Sequence, residues 1–537
     1  MKISKGNDNG VLVTAEKARA LDAEASADWG LEAFALVEAA GRSCAAVFAD
    51  KFLKSKQEIN FFTVLAGSGN NAADALVMMK ALILGGYAKA SDCQVFVTHL
   101  TAANKTPLSQ AMLAIQQLGV QIMEWDAKKA SAAFKRTDYF IDGITGTGLN
   151  SPLRNIALEM TEAVNQHIDK INSVNLRKRK VNKPFVISID IPSGSYDNWQ
   201  QNMPILKADA TLAIEPQKLC LYTPAARSYA GMILPVTGIF PPALSQKYRE
   251  AELVTWKNAG AAIPAISKTV HKYERGLVEI WAGSQGAIGA AKLAAEGAQA
   301  AGAGLIRLVV DPSIYPVVAS GCSGVMAVPG PPTDGRFTPT AVLLGPGWGK
   351  TEDRVRILEN FLRLEEQGTP LILDADAIAL AKDMVFHGNT IMTPHMGEFA
   401  AYCGLKKDEI LKSPIQALRD FSAKAKAVIL LKSHVIYVAS PDGRLGIIDG
   451  MNPVLATGGT GDVLAGFCSS IAARWRACVL KTGGKKSGSF DAYACACAAG
   501  ALLMQAADSK GIAGKFADPA EIAHAASAIA GEVWLEA

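Results

Sequence analysis

Short, continuous runs of apolar residues alternate with helix-like stretches along the whole chain, and this alternation limits the fold more than any other feature. The runs of the first half are residues 61–67, 93–100, 139–144, 185–191 and 210–214. Those of the second half are residues 277–283, 305–310, 341–345, 371–374, 428–432 and 435–439. Apolar runs without polar alternation are typical of parallel strands that helices cover on both faces. The sequence therefore predicts an α/β fold in which each half forms a layered αβα domain.

The chain is too long for one hydrophobic core. It has 537 residues, whereas single cores stop growing at roughly 250–300 residues. The adjacent Pro241 and Pro242 are turn-forming residues and mark a candidate boundary. We therefore predict one domain over residues 1–240 and a second over residues 241–537.

Composition excludes several classes of protein. The formal net charge of +4 gives no basic surface for nucleic acid. The nine cysteines form no CxxC pair, which favours reduced thiols over a disulfide framework or a zinc site. The N-terminus has no apolar signal segment, and no run of about 18 uncharged apolar residues is present. We therefore expect a cytoplasmic protein without a nucleic-acid or membrane partner.

A glycine-rich segment in the second half precedes a helix-like run at residues 463–473. Its four residues before Asp462 are Gly458, Gly459, Thr460 and Gly461. Glycines let the backbone approach an anion, and a helix N-terminus directs N–H groups and partial positive charge at it. Asp462 would then accept a proton from a hydroxyl that attacks a phosphoryl group. The alternative is an acidic residue that only caps the helix.

Polar or glycine-rich segments also follow four other predicted strands, where open α/β sheets bind ligands. They contain Gly347 in a Gly-Pro-Gly-Trp-Gly turn, Asp374 and Asp376, His395 after Thr-Pro, and Lys432. Lys432 could meet a nucleotide phosphate, although no P-loop motif is present. Each segment also has a structural alternative, such as a turn or a helix start.

In this order, the segments resemble the ADP/ATP-dependent NAD(P)H-hydrate dehydratases, a ribokinase-like family, over residues 268–535. The resemblance implies that Gly347, His395 and Asp462 bind the hydrated nicotinamide, and that Asp462 is the catalytic residue. It implies a nucleotide site at Lys432, Ser433, His434, Val435, Ile436, Gly458, Gly459, Thr460 and Gly461. ADP or ATP with Mg²⁺ would be the cofactor, and the choice between the nucleotides stays open. The chain departs from the family at Lys432-Ser433, where Lys-Gly is usual.

Three strand-end segments also stand out in the first half. Gly67, Gly69 and Ala72 fit a Rossmann Gly-x-Gly-x-x-Ala pattern. Asp142 and the pair Asp190 and Ser193 follow two later strands. Their oxygen atoms suit an alkali or alkaline-earth cation. All three segments are also ordinary turn formers.

Together these segments resemble the NAD(P)H-hydrate epimerase domain, a Rossmann-like fold, over about residues 10–240. The resemblance implies a K⁺ site at Asn71, Asp142 and Ser193, and Asp190 as the catalytic residue. It implies substrate loops formed by Asn70, Asn71, Ala72, Ala73, Asp74, Gly146, Thr147, Gly148, Leu149, Asn150, Ser151 and Pro152. The family usually has glycine where this chain has Ala72, Ala73 and Ala75, and each added methyl group could narrow the pocket.

These resemblances imply a bifunctional repair enzyme that forms homo-oligomers. It would interconvert the R and S hydrates of NADH and NADPH, and dehydrate the S form at the expense of ADP or ATP. One alternative is a ribokinase-like kinase that phosphorylates a small alcohol and stops there. In the other, the N-terminal half is a non-catalytic binding or assembly module.

Overall fold

The computed structural model describes residues 10–53, 59–100, 106–175, 183–332, 338–483 and 489–535. The chain forms two compact units, Met1–Glu252 and Leu253–Ala537. The division lies later than the predicted boundary at residue 240. Residues after 240 stay with the first unit because Ala251 pairs antiparallel with Leu12, and Leu244 packs against Leu21.

The first unit alternates strands and helices. Its strands are β1 (Val11–Val13), β2 (Phe62–Ala66), β3 (Cys93–Val97), β4 (Gln121–Glu124), β5 (Tyr139–Gly143), β6 (Phe185–Ile189), β7 (Ala210–Ile214), β8 (Gln217–Lys218), β9 (Met232–Val236) and β10 (Ala251–Leu253). Its helices are α1 (Ala15–Asp28), α2 (Ala33–Phe52), α3 (Asn70–Leu84), α4 (Pro107–Gln117), α5 (Ala127–Phe134), α6 (Asn155–Asn175) and α7 (Pro242–Lys247).

The main sheet of this unit is parallel, with the strand order β4-β3-β2-β5-β6-β7-β9. This is the doubly wound Rossmann order with one further strand. The strand order reverses between β2 and β5, so the loops after these two strands diverge and leave a crevice. All five predicted apolar runs of this half contain a strand. The sequence did not predict β4, because its residues begin and end with polar side chains.

The second unit repeats the α/β alternation. Its strands are β11 (Leu277–Trp281), β12 (Leu305–Val310), β13 (Met326–Pro329), β14 (Ala341–Leu344), β15 (Leu371–Leu373), β16 (Thr390–Met392), β17 (Val428–Leu431), β18 (Val435–Ala439) and β19 (Leu445–Asp449). Its helices are α8 (Trp256–Ala261), α9 (Ile288–Ala300), α10 (Tyr315–Gly321), α11 (Glu352–Glu366), α12 (Asp376–Leu380), α13 (Met396–Cys403), α14 (Lys407–Lys412), α15 (Pro414–Ala425), α16 (Thr460–Thr482), α17 (Ala492–Ala507) and α18 (Pro519–Trp534).

Its strands follow the order β13-β12-β11-β14-β15-β16-β17-β18-β19. The strands from β13 to β17 are parallel, but β18 and β19 are antiparallel to their neighbours. The prediction of parallel strands was therefore wrong for the run at residues 435–439. Only Lys432, Ser433 and His434 join β17 to β18, and a parallel crossover needs a dozen or more residues.

Helix α16 forms the centre of the second unit's core. This helix is long and apolar enough to cross a membrane, but 78% of its most apolar 18-residue stretch is buried inside the protein. Cys468, Ile471 and Ala472 on this helix are fully buried in the main cluster. Its apolar character is therefore explained by packing between the sheet and the neighbouring helices.

Candidate active sites

In the second unit, four neighbouring parallel strands end at the same edge of the sheet. Gly345 follows β14, Asp374 follows β15, Thr393 follows β16 and Lys432 follows β17. Backbone bonds join these ends, because Asp374 N donates to Leu344 O and Lys432 N donates to Pro394 O. The structure thus brings the predicted strand-end segments together.

A buried ion pair lies at this edge. The Lys432 ammonium is 2.7 Å from Asp374 Oδ1, and Asp374 is only 2% exposed. The Thr393 hydroxyl donates to the same oxygen at 2.7 Å. Burial opposes the charge on Lys432, but the carboxylates of Asp374, Glu398 and Asp462 raise the pKa of Lys432. Lys432 is therefore a fixed cation.

The glycine-rich segment forms the start of α16, as predicted. Gly459 caps this helix with a φ of +100°, and a Cβ there would lie 2.4 Å from Leu293 Cδ1. A Cβ built on Gly461 would lie 3.1 Å from Lys432 Nζ, so the ammonium group sits beside the first turn. First-turn N–H groups of a helix have no intrahelical acceptor. Together with Lys432 they make an anion site.

Asp462 lies in the first turn of α16, half-buried. Among the described residues its carboxylate has no hydrogen-bond or ion-pair partner, so it does not cap the helix. Burial, the largest cause, and the charges of Asp374 and Glu398 raise the pKa of Asp462 to about 7, while Lys432 opposes the shift. A carboxyl with a pKa near neutrality is suited to accepting and returning a proton.

Gly347 and His395 shape the loops beside Asp374. Gly347 has a φ of +56°, and a Cβ there would lie 2.6 Å from Ala287 Cβ, so the loop requires glycine. His395 caps α13, because its Nδ1 accepts from the N–H groups of Gly397 and Glu398. His395 therefore has the capping role of the structural alternative, yet 61% of its side chain remains exposed for a ligand.

A cavity of about 500 Å³ adjoins the start of α16. The predicted nucleotide residues that line it are Lys432, Ser433, His434, Ile436, Thr460 and Gly461. Val435 is buried in β18, and Gly458 and Gly459 lie outside this lining. The sequence reasoning missed Met451, Asn452 and Leu503, which also line the cavity. Leu503 comes from α17, so no local motif points to it.

In the first unit, a cavity of about 520 Å³ lies at the reversal of strand order. The predicted residues that line it are Asn70, Asn71, Asp74, Gly146, Thr147, Gly148, Leu149 and Asp190. Asn150, Ser151 and Pro152 lie outside the lining, as do Ala72 and Ala73.

The alanines that replace family glycines belong to α3. Ala72, Ala73 and Ala75 are buried in the core of the first unit. None has a positive φ, and none lines the cavity. Their methyl groups therefore pack in the core of the first unit and do not project into the cavity lining.

Asp190 is held in an unusual backbone conformation at the end of β6, with a φ of +62°. Its Oδ1 accepts from Lys218 Nζ at 2.7 Å and from Ile214 N at 3.2 Å. Burial raises the pKa of Asp190, and the Lys218 charge opposes the shift. A strained, buried and charge-paired carboxylate facing a cavity is a candidate catalytic group.

Two further aspartates line the same cavity, Asp22 and Asp74. Burial and the charge of Asp190 raise the pKa of Asp74 well above its ordinary value, and Asp74 Oδ1 is buried without a partner. Asp22 on α1 keeps an exposed surface, yet the surrounding protein raises its pKa to about 6. The sequence reasoning missed Asp22 and Lys218, because neither lies in a glycine-rich segment or directly after a strand that the sequence predicts.

Asn71, Asp142 and Ser193 converge beside this cavity. Ser193 donates to both oxygens of Asp142, through Oγ at 2.5 Å and N at 2.9 Å. Asn71 Nδ2 donates to Thr145 O, whereas Asn71 Oδ1 is buried without a partner. Within the described residues, no group of three or more His, Cys, Asp or Glu side chains could hold a metal ion. The orphaned amide oxygen and its oxygen neighbours fit a hard alkali or alkaline-earth cation rather than a soft transition metal.

Comparisons with known proteins place both units in one family. The profile described as NAD(P)H-hydrate dehydratase matches residues 278–524, and that described as YjeF-related protein N-terminus matches residues 33–220. The bifunctional NAD(P)H-hydrate repair enzyme of Gloeobacter violaceus is 30% identical over 491 residues, covering 86% of this chain and 89% of that protein. The bifunctional NAD(P)H-hydrate repair enzyme of Salinibacter ruber is 27% identical over 502 residues, covering 86% of this chain and 88% of that protein.

A solved structure is also similar to the second half. The ADP/ATP-dependent NAD(P)H-hydrate dehydratase from Bacillus subtilis, co-crystallized with ATP and Mg²⁺, is 26% identical. It aligns over 52% of this chain and 96% of that chain with a TM-score of 0.43. The sequence matches alone cover most of the chain, and by them the chain belongs to the family of bifunctional NAD(P)H-hydrate repair enzymes.

Proposed function

We propose that this chain repairs hydrated NADH and NADPH in two reactions. The first unit interconverts the R and S hydrates, and the second unit dehydrates the S form using ADP or ATP. Family membership and a ligand-sized cavity in each unit support both activities. The single observation that carries the dehydratase assignment is the unpaired Asp462 carboxyl beside the Lys432 cation at the start of α16.

The dehydratase site supplies a base and an anion site. Asp462 takes the proton of the substrate hydroxyl, whose oxygen then bonds to the terminal phosphorus as the phosphorus–oxygen bond to the nucleotide breaks. Lys432 and the first-turn N–H groups of α16 stabilise the transferring phosphoryl group. The carbon–oxygen bond next breaks and phosphate leaves with its electron pair. Loss of a proton from the adjacent carbon restores the ring double bond.

The epimerase site supplies Asp190, which Lys218 orients through the 2.7 Å ion pair. We assign Asp190 the removal of the hydroxyl proton from the hydrate. The loop at Gly146 packs against the Asn71 side chain, because a Cβ at Gly146 would lie 2.9 Å from Asn71 Cβ. Asn71, Asp142 and Ser193 would hold K⁺, and its charge would fix this loop beside the substrate. Mg²⁺ would enter bound to the nucleotide phosphates.

The two alternatives from the sequence are less well supported. A kinase that stops at a phosphorylated alcohol does not agree with the matched dehydratase family. A non-catalytic N-terminal module was suggested by Ala72 and Ala73, which are packed away from the cavity. An active epimerase therefore remains the better interpretation of the first unit.

The test is recovery of reduced-nicotinamide absorbance from hydrated NADH or NADPH, with ADP and ATP supplied separately. A stable phosphorylated alcohol without recovery would favour the kinase. For the first unit, we would add R hydrate to the Asp462→Ala variant and follow its conversion to S. Persistence of the R form would favour the alternative in which the N-terminal half is a non-catalytic binding or assembly module.

We also propose a cytoplasmic location and a homo-oligomeric state. Cys44, Cys93, Cys220, Cys468 and Cys495 are buried thiols, which is usual in a reducing compartment. Size-exclusion chromatography with light scattering would test assembly, and fractionation of cells that express the tagged full chain would test location.

A further inference from the structure

Six ionisable side chains line the first unit's cavity, namely Arg19, Asp22, Asp74, Asp190, Glu215 and Lys218. Asp22 comes from α1, Asp74 from α3, Asp190 from the end of β6 and Lys218 from β8. Lys218 pairs directly with Asp190. Asp22, by contrast, has no hydrogen-bond or ion-pair partner in the part of the chain that the structure describes. The cavity therefore holds the charge-compensated Asp190, the buried Asp74 with its unpartnered Oδ1, and Asp22, which is exposed and which a ligand can reach.

The chemistry of the hydrate requires two proton-transfer groups. Water adds to an enamine at the carbon next to nitrogen, so the hydroxyl-bearing carbon is bonded to the ring nitrogen. Inverting this carbon without exchanging atoms requires ring opening. A base removes the hydroxyl proton, a carbonyl forms, and the carbon–nitrogen bond breaks with its electron pair going to nitrogen. An acid protonates that nitrogen, and closure on the other face returns both protons.

We propose that Asp22 is a second catalytic residue of the epimerase site, which protonates the ring nitrogen while Asp190 removes the hydroxyl proton. This assignment rests on the proposed epimerase function. The geometry distinguishes the roles, because Lys218 lies 2.7 Å from Asp190 Oδ1 and stabilises it as a carboxylate. Asp22 has no such partner, and it lines the same cavity from the neighbouring α1.

The charges around Asp22 agree with an acid role. Although the Asp22 side chain keeps an exposed surface, the protein atoms around its carboxyl partly desolvate it, which is the largest cause of its raised pKa. The negative charge of Asp190 also opposes ionisation of Asp22, whereas the Lys218 ammonium favours it. Asp74, Arg19 and Glu215 also line the cavity. The resulting pKa of Asp22, about 6, leaves about a tenth of the molecules protonated at pH 7. A proton donor with this pKa is effective near neutral pH.

The experiment uses the full chain carrying Asp462→Ala, so that the S hydrate accumulates, and follows R-to-S conversion by NMR. Adding Asp22→Asn should lower kcat about 100-fold, with the KM for the hydrate within about twofold. Asp28→Asn is the matched control, because Asp28 ends the same helix and does not line the cavity. Asp22→Glu keeps a carboxyl and should restore part of the rate. Thermal melting of each variant verifies folding.

The pH profile gives a readout that a purely structural role would not change. In the parent protein, kcat should fall as pH rises above about 6, because Asp22 loses its proton. The Asp22→Asn variant should lack this decline. The proposal is overturned by an unchanged rate and profile in Asp22→Asn, or by an equal loss in Asp28→Asn. If the parent protein converts no R hydrate, the epimerase function itself fails, and this inference fails with it.

Discussion

Replacing Asp462 with alanine separates chemistry from stability in the dehydratase site. Asp462 supplies the carboxyl group in the first turn of α16, and an alanine side chain cannot accept the proton of the substrate hydroxyl. General base catalysis contributes about 10²–10⁴-fold to a rate, so kcat for dehydration should fall by this factor. Because the carboxylate accepts no bond from the helix backbone, loss of the side chain should not uncap α16.

The pKa of Asp462 sets the pH dependence of the wild-type enzyme. With a pKa of about 7, half of the carboxyls are ionised at pH 7 and about a tenth at pH 6. Dehydration should therefore slow as the pH falls below 7. Because folding raises this pKa, the folded state binds the proton more tightly than the unfolded state does. The ionised carboxylate therefore adds no stability at pH 8, and Asp462→Ala should melt there at the wild-type temperature or above.

Asp518 provides the matched control, since it also lies at a helix start. Its side chain accepts from Ala520 N at 2.8 Å and caps α18. Asp518→Ala should cost about 1 kcal/mol of stability and leave dehydration unchanged. Glu398→Gln should shift the acidic decline of the wild-type profile to lower pH, because the Glu398 charge raises the pKa of Asp462.

The assay follows the absorbance of NADH regained from S hydrate with ADP or ATP, between pH 5 and 9. Urea unfolding of each variant measures stability. Wild-type kcat in Asp462→Ala would refute the base assignment. A stability loss in Asp462→Ala as large as that in Asp518→Ala would instead support a capping role.

Three further perturbations test other parts of the two sites. Lys432→Met leaves the Asp374 carboxylate buried without a cation, and should lower unfolding free energy by about 3–5 kcal/mol and weaken nucleotide binding in calorimetry. Asn71→Leu removes the orphaned Oδ1, and should abolish stimulation of R-to-S conversion by added K⁺. Stimulation by K⁺ equal to that of the wild type would contradict the K⁺ assignment. Gly459→Ala should lower urea stability by about 1–3 kcal/mol through its positive φ and the contact with α9. Gly458→Ala, where a Cβ meets open space, should change it by less than about 0.5 kcal/mol.

Local pattern was sufficient for much of the fold. Each predicted apolar run contains a strand because buried parallel strands need apolar residues on both faces. The glycines before Asp462 predicted a helix start near this residue, although α16 spans Thr460–Thr482 and is longer than the predicted run at residues 463–473. The antiparallel β18 was mispredicted, because hydrophobicity records burial and not direction. Only the short connection from Lys432 to His434 carried that information.

The resemblance to family motifs identified where the sites lie but not how they are built. It named Ala72 and Ala73 as substrate-loop positions, yet both side chains point into the core of the first unit rather than line the cavity. A substitution of glycine by alanine has opposite consequences in a loop and in a helix. The sequence alone does not show whether Ala72 and Ala73 lie in a loop or in a helix. The structure shows that α3 begins at Asn70, so both lie in the helix.

The two sites share an arrangement that depends on contacts between distant segments. In each, a lysine at or beside a strand end neutralises one buried aspartate: Lys218 pairs with Asp190, and Lys432 pairs with Asp374. A second acid nearby has no cation of its own and keeps a pKa near neutrality, which leaves it able to exchange protons. The lysine keeps the paired aspartate ionised. The negative charge of that aspartate and burial then raise the pKa of the second acid. Because each pair joins the ends of different strands, only the folded sheet determines which acid holds its charge and which one titrates.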